Sequence, residues 1–396
     1  MVEREIYKKL ENHLREKQIT VITGLRRVGK TTAVKHLLNG IQSENKIYLD
    51  LERVENRYLF NQSNYKEIEL SLQIEGVDFS KKAYIALDEI QLVPNIPSVV
   101  KYLYDTYNIK FIVTGSSSFY IKNRFSESLA GRKRIIEMEP LTFAEYLKFK
   151  GEKVPTYLNK KFSEFNLTFY NKYKVHYDNY LRFGGFPEVV SAKKEADKIA
   201  YLKDIVNSYI ELDVKLLSDF AVSDDLYKLI LLLAERVGSK IDYTKIGNTL
   251  GIPRQKVKDY ITLLEFTYFV KLIPPFTLNR DKEISLQKKL YFADNGLLTA
   301  LGNFHTGALL ENMVAVQLTR RGKLQYYAKK SGQEIDFILD NKIAIEVKES
   351  PSSSDLSILE NRAKGIKIEE CYLVGLKQSN PSFKKFAWAG SIDLTK

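Results

Sequence analysis

Two groups of residues in this 396-residue chain have the types and spacing to do chemistry. The first is Gly24-Leu25-Arg26-Arg27-Val28-Gly29-Lys30-Thr31, followed by Thr32, which fits the pattern G-x-x-x-x-G-K-[ST]. Glycines let a backbone wrap phosphates with its N–H groups pointing inward, and a helix that starts there adds a favourable dipole. In such a loop Lys30 reaches the β- and γ-phosphates, and the Thr31 hydroxyl coordinates Mg²⁺. Tyr84-Ile85-Ala86-Leu87-Asp88-Glu89 brings carboxylates to the end of another apolar run. Asp88 is expected to hold Mg²⁺ through water and Glu89 to polarise the attacking water, so hydrolysis of ATP is expected and not binding alone. Thr114, in Val113-Thr114-Gly115-Ser116-Ser117, is expected to stand between Glu89 and the γ-phosphate. Arg132 has two readings: an arginine finger, often supplied by an adjacent subunit, or part of a solvated basic cluster with Lys133 and Arg134.

The second group lies near the other end. Glu334 to Leu339 and Ile343 to Lys348 read as two strands joined by Asp340-Asn341-Lys342. Strand side chains alternate faces, so Ile335, Phe337 and Leu339 share one face with Ile343, Ile345 and Val347. Asp336, Glu346 and Lys348 fall on the opposite face, which gathers two carboxylates and a lysine. That set suits a Mg²⁺-dependent phosphodiesterase: carboxylate oxygens hold a hard cation, and the lysine orients or neutralises. Glu311, on a helix with Leu310, Met313 and Val314, is a further expected ligand. The alternative is a charged, solvated hairpin face that cuts nothing.

These residues need elements to position them. Ile19–Ile22, Lys46–Leu51, Tyr84–Leu87, Lys110–Val113 and Arg134–Met138 are expected strands, with a helix from about Lys30 to Leu38. Continuous apolar strands separated by helices imply a parallel sheet covered on both faces. Thr142 with Glu145 is a capping box that opens the next helix. From about 151 to 235 helical periods dominate, with a turn at Gly184-Gly185-Phe186-Pro187, and a helical lid is expected. Tyr243–Leu250, a turn at Gly251, a helix from about Pro253 and a strand at Phe269–Ile273 describe a winged helix. Arg254, Gln255, Lys256, Lys258 and Asp259 begin its second helix, where such side chains reach phosphates and bases. The tyrosines between 157 and 209 are read as helix packing, with base stacking the alternative.

Composition narrows the class. Lys+Arg 61 against Asp+Glu 49 gives a net charge of +12, which leans towards an anionic partner such as DNA or a nucleotide. One cysteine and four histidines exclude an intrachain disulfide and argue against a zinc-finger site. No run reaches the roughly 18 apolar residues of a membrane span. The first residues lack the apolar core of a signal peptide, so a cytoplasmic protein without membrane contact is expected.

The order Gly-Leu-Arg-Arg-Val-Gly-Lys-Thr, Leu-Asp-Glu-Ile-Gln, Thr-Gly-Ser-Ser, Leu-Ala-Gly-Arg and Pro-Leu-Thr-Phe-Ala-Glu-Tyr-Leu resembles a large prokaryotic group of AAA-type ATPases with a C-terminal domain of unknown function. Tyr180 to Val189 is similar to that group's helical region, and Tyr291 to Leu297 to its C-terminal part. The hairpin carboxylates with Lys348 resemble the PD-(D/E)xK nuclease signature. The resemblance implies an α/β chain in four parts: a P-loop AAA+ ATPase core at 1–150, a helical lid at 151–235, a winged helix at 236–285 and a restriction-endonuclease-like domain at 286–396. ATP and Mg²⁺ are the expected cofactors and ATP or ADP the expected ligand; the basic charge, the winged helix and the nuclease-like end together favour DNA as a partner, and an arginine finger supplied in trans would require a homo-oligomer, with a protein partner the alternative. No second sensor arginine stands out in the helical region. Three functions stay open: an ATPase that engages DNA, an ATP-gated nuclease, and a nucleotide switch acting on a protein.

Overall fold

The computed structural model describes residues 2–62, 64–115, 129, 131–154, 165–214, 224–277, 286–329, 332–378 and 385–394. Ser116, Ser117 and Ala130, and the tyrosine at 157, lie outside them. The chain divides into two compact units: residues 1–139 with 208–221 and 266–268, and residues 140–207, 222–265 and 269–396. Among the described residues no helix is long and apolar enough to cross a membrane.

The first unit is built on five strands: β1 (Ile19–Thr23), β2 (Lys46–Asp50), β3 (Ala83–Asp88), β4 (Ile109–Gly115) and β5 (Lys133–Glu137). They pair in the order β2-β3-β4-β1-β5, all parallel. All five residues of β1 and all seven of β4 are buried, because helices cover both faces of the sheet. The helix Lys30–Gly40 starts directly behind the turn that follows β1. Two helices between β2 and β3, Val54–Phe60 and Tyr65–Ile74, carry little apolar periodicity and were not read from the sequence.

The second unit holds a five-stranded mixed sheet. Its strands are introduced after a two-stranded antiparallel pair, β6 (Val270–Ile273) and β7 (Lys289–Phe292). They are β8 (Leu324–Ala328), β9 (Glu334–Leu339), β10 (Ile343–Val347), β11 (Glu370–Gly375) and β12 (Phe386–Trp388), in the order β12-β11-β10-β9-β8. The β9–β10 hairpin is antiparallel with Phe337 opposite Ile345 and Leu339 opposite Ile343, the register that joins the apolar faces.

One apolar core runs from Leu141 to Leu394 and packs the helix Leu167–Phe183 together with the five-stranded sheet. The reason is visible in that helix. Its tyrosines 170, 173, 177 and 180 repeat at helical spacing and are buried. Trp388, at the end of β12, meets Tyr170, Tyr177 and Phe143 edge-on at ring distances of 5.5, 5.3 and 6.2 Å. The tyrosine stripe is therefore core packing and not a surface for bases. The helix Phe143–Phe149 also belongs to this unit, opened by the Thr142–Glu145 capping box.

The two motif stretches of the second unit interlock. Asp294 accepts hydrogen bonds from the backbone of Gly185 (2.8 Å) and Gly296 (2.7 Å). Gly184 has φ +72°, and a Cβ there would lie 1.6 Å from the Asp294 carboxylate, so only glycine fits. Burial pushes the Asp294 carboxyl up to about 6, against those backbone donors.

Candidate nucleotide site and a carboxylate cluster

The loop after β1 is bent tightly. Gly24 has φ +142°, and a Cβ on it would sit 2.1 Å from the Met138 carbonyl oxygen, so β5's continuation presses against the loop backbone. Gly29, at φ +99°, precedes the first turn of the helix that starts at Lys30. Lys30 is buried, and its ammonium donates to the carbonyls of Gly24 (3.0 Å) and Leu25 (2.9 Å). The ammonium thus lies folded into the loop mouth, where phosphate oxygens can replace those carbonyls.

Asp88 ends β3, two strands from β1, with β4 between them. Its Oδ2 accepts from the Thr31 hydroxyl and from the Tyr48 hydroxyl, both at 2.7 Å. Its Oδ1 accepts from the Thr114 hydroxyl. Thr114 also accepts from the backbone N–H of Glu89 at 3.0 Å. Glu89 itself holds φ +56°, a conformation that costs a non-glycine residue energy and recurs at functional sites. Its carboxylate accepts from the Gln91 side chain. Residues at three strand ends are thereby joined: Tyr48 from β2, Asp88 and Glu89 from β3, Thr114 from β4. This is the carboxyl end of a parallel sheet, where ligands bind in such folds.

Tyr48, Gln91 and Glu52 were not singled out from the sequence. Burial and the Asp88 hydrogen bond push the Tyr48 hydroxyl well above its usual range, so it stays a donor. Arg26 reaches Glu52 at 3.6 Å. Partial burial and then the Glu89 charge push the Glu52 carboxyl up, with Arg26 opposing. A tyrosine two residues before a strand-end aspartate carries no sequence signal; only the β2–β3 register, Asp50 beside Asp88, brings it into reach.

Arg132 is placed at the other end of the sheet. It precedes β5, whose Lys133 pairs with Ile19 at the start of β1, while the loop follows Thr23 at its finish. Five residues of strand span about 16 Å, and the guanidinium pairs with Asp105 at 2.8 Å. Arg132 thus stands at the opposite end of β1 from the loop.

In the second unit Asp336 and Glu346 do share the far face of the hairpin. Burial first, and the Asp336 charge next, push Glu346 up to about 7. Burial also raises Asp336 and Glu311. Lys348 lies 3.5 Å and Arg362 3.9 Å from Glu346. The carboxylates expected as ligands have partners within the chain. Among the described residues no group of three His, Cys, Asp or Glu side chains could hold a metal ion. Asp336 Oδ2 is used by the Val347 N–H at 2.8 Å. Glu311 is used by the Tyr291 hydroxyl at 2.8 Å and by Lys289 at 3.6 Å. Lys289, on β7, is buried and lies 2.5 Å from Glu334. Burial alone would lower its pKa, yet Glu311, Asp336 and Glu334 together raise it, so the ammonium stays charged among the carboxylates. Glu334 shows the same balance from the other side: burial raises its carboxyl, but Lys289 outweighs that and lowers it. Glu346 Oε2 is buried without a hydrogen-bond partner among the described residues, whereas Asp336, Glu311 and Glu334 are engaged by other groups of the chain. Lys289 was missed because β7 is 45 residues away from β9 in sequence, and only the fold joins them.

Three family models match successive parts of the chain. Residues 16–147 match the model of an AAA domain. That match is a likeness over one third of the chain, and it takes in the loop, β1 to β5 and the strand-end carboxylates. Residues 174–308 and 306–394 match two domains of unknown function, DUF8612 and DUF4143. An uncharacterized protein of Haemophilus influenzae is 28% identical over 368 residues, 87% of this chain and 88% of that one. The uncharacterized protein MJ1544 of Methanocaldococcus jannaschii is 28% identical over 399 residues, 96% of this chain and 86% of that one. Among solved structures, that of the Aeropyrum pernix ORC1 protein in complex with DNA covers 76% of this chain and 92% of its own. It has 14% identity and a TM-score of 0.34, too low to carry weight for fold or function.

The helical module expected to meet DNA has its own geometry. Helices Asp224–Glu235, Tyr243–Leu250 and Arg254–Phe266 precede β6 and β7. Gly251 turns between the second and third with φ +70°. Val257, Tyr260, Ile261 and Leu264 face inward at helical spacing. Arg254, Gln255, Lys258 and Asp259 are exposed. Lys256 is not free for a partner: it pairs with Asp225 at 2.7 Å on the first helix of the module. Gln255 is tied to Asp259 at 2.8 Å.

Proposed function

We propose that the chain is a Mg²⁺-dependent AAA+ ATPase that engages DNA through the helix Arg254–Phe266. The observation that carries the hydrolytic part is the Asp88 carboxylate shared by Thr31 and Thr114, with Glu89 on the next residue. Lys30 would exchange its two carbonyl partners for β- and γ-phosphate oxygens. Thr31 and Asp88 are the residues to hold Mg²⁺, which when bound neutralises phosphate charge. Glu89 orients the attacking water and takes its proton, while Thr114 fixes both Asp88 and the Glu89 backbone. The loop residues Gly24, Leu25, Arg26, Arg27, Val28, Gly29 and Thr32 would cradle the phosphates around Lys30. Arg132, at the far end of its own sheet, would serve a neighbouring copy, which calls for a homo-oligomer.

The DNA part rests on element order. Helix, a short bridge at Lys240 to Lys289, helix, helix, β6 and β7 is the sequence of elements in a winged helix. Exposed Arg254 and Lys258 at the start of its third helix suit phosphate contacts. The nuclease alternative has Asp336 and Glu346 in its favour and buried Lys289 against it.

The test is ATP hydrolysis with Mg²⁺, with and without duplex DNA, together with strand integrity on a gel. Hydrolysis stimulated by intact DNA is the expected result. Arg254→Ala with Lys258→Ala should weaken DNA binding and flatten its salt dependence by about two phosphate contacts. Hydrolysis indifferent to DNA would overturn the DNA reading and favour a protein partner. DNA cutting lost in Asp336→Ala would restore the nuclease reading.

A further inference from the structure

Arg4 lies outside the part of the chain that matches the AAA domain, which begins at residue 16. Its guanidinium is nevertheless built into the phosphate-binding loop. Arg4 is 5% exposed and donates to the Val28 carbonyl at 3.1 Å and the Glu139 carbonyl at 2.9 Å. Val28 belongs to the loop. Glu139 follows Met138, whose N–H bonds the Thr23 carbonyl at 2.7 Å and whose own carbonyl abuts Gly24. Arg4 therefore ties the loop's outer side to the strand that backs it.

We propose that Arg4 is a positioning residue of the nucleotide site, acting through the Val28–Gly29 peptide. A trans peptide carries its N–H opposite its C=O, and the chain has no cis peptide bond among the described residues. Holding the Val28 carbonyl outward turns the Gly29 N–H inward, towards the side where phosphates sit. A full positive charge on the carbonyl oxygen also polarises the peptide, which strengthens that N–H as a donor. The side chain does both without touching the nucleotide.

The helix that follows Arg4 is anchored without it. Tyr7 stacks on His36 with ring centroids 4.3 Å apart, and His36 meets Glu11 at 2.8 Å. Lys110 from β4 donates to the His13 and Glu16 carbonyls, both at 2.8 Å, at the other end. Tyr7 and Leu10 are buried. Loss of the guanidinium should leave this helix docked and change the loop alone.

The inference rests on the nucleotide-site reading, so the unaltered protein and Lys30→Ala are measured beside the variants. ADP and a non-hydrolysable ATP analogue are titrated calorimetrically, and KM and kcat for ATP are measured. Arg4→Ala should weaken both ligands about tenfold and raise KM alike, with kcat changed less than threefold. Arg4→Lys, which cannot fork to two carbonyls, should fall between. Ethylguanidine added to Arg4→Ala should recover part of the affinity. Tyr7→Ala is the control for a purely structural loss: it should lower the melting temperature without the selective change in KM. Unchanged affinity in Arg4→Ala, or a loss that Tyr7→Ala reproduces at equal melting temperature, would overturn the role of Arg4 alone. Failure of the unaltered protein to bind either nucleotide would overturn the site reading and this inference with it.

Discussion

Two clusters of acidic residues in this molecule are held in opposite ways. Asp88 is surrounded by hydroxyls from Thr31, Tyr48 and Thr114. Neutral donors orient a carboxylate and leave its negative charge uncancelled. Glu311, Glu334 and Asp336 surround the buried ammonium of Lys289. Those carboxylates share a cation that the chain carries itself. One arrangement keeps a carboxylate available to a cation and its phosphates; the other uses carboxylates to seat a lysine. The same residue types therefore meet neutral donors in one unit and a lysine in the other.

The largest expected effect breaks the comparison on the first side. Lys30→Ala should abolish measurable ATP hydrolysis, and Glu89→Gln should cut kcat by at least about a hundredfold while ATP still binds. Normal turnover by Glu89→Gln in a steady-state phosphate-release assay would remove Glu89 from the mechanism.

The second side is tested through Lys289. Lys289→Met takes the shared ammonium from three partly buried carboxylates, of which Glu334 keeps another cation, Lys240 at 3.5 Å, and breaking a buried pair typically costs about 3–5 kcal/mol. Thermal unfolding of the variant should show that loss. Added Mn²⁺ should then restore part of the melting temperature in the variant and do nothing to the parent. Equal Mn²⁺ stabilisation of the parent would mean that a divalent cation displaces Lys289, and the cluster would return to the metal-site reading.

The smallest effect is on pH dependence. Burial and Asp336 raise the Glu346 carboxyl to about 7 in the folded protein. Its contribution to stability is therefore fully present below the ordinary glutamate range and is lost as pH rises through about 7. Asp294, raised to about 6, acts in the same direction. The melting temperature should decline from pH 5 to 7.5, and Glu346→Gln should make that decline shallower. An identical slope in parent and variant would show that Glu346 does not titrate there.

Much of the nucleotide site was legible because its residues are neighbours in sequence. The glycines, Lys30 and Thr31 fall in eight consecutive residues, and Asp88 and Glu89 close one apolar strand. Thr114 was legible as a polar strand end. Tyr48 and Arg4 were not, since each reaches the site from a separate element and belongs to no local pattern. In the second unit the hairpin register followed from alternation alone. Its chemistry did not, because the deciding residue comes from β7. The tyrosine stripe was readable as packing from its spacing, but the partner that covers it, Trp388, lies more than two hundred residues on.

What the sequence by itself determined is whatever is written in local order: the phosphate loop with its strand and helix, the strand-end carboxylates, the capping box at Thr142, the turn at Gly251 and the alternating hairpin. These depend on backbone geometry and periodicity within a few residues, which no distant contact needs to supply. Tertiary structure alone decided the strand order β2-β3-β4-β1-β5, the placing of Arg132 at the opposite end of β1 from the loop, and the packing of the tyrosine helix and the five-stranded sheet around one core. It also brought Lys289 into the carboxylate cluster. Those outcomes turn on which separated surfaces bury each other and which charges are desolvated together, and that is settled only when the chain has folded.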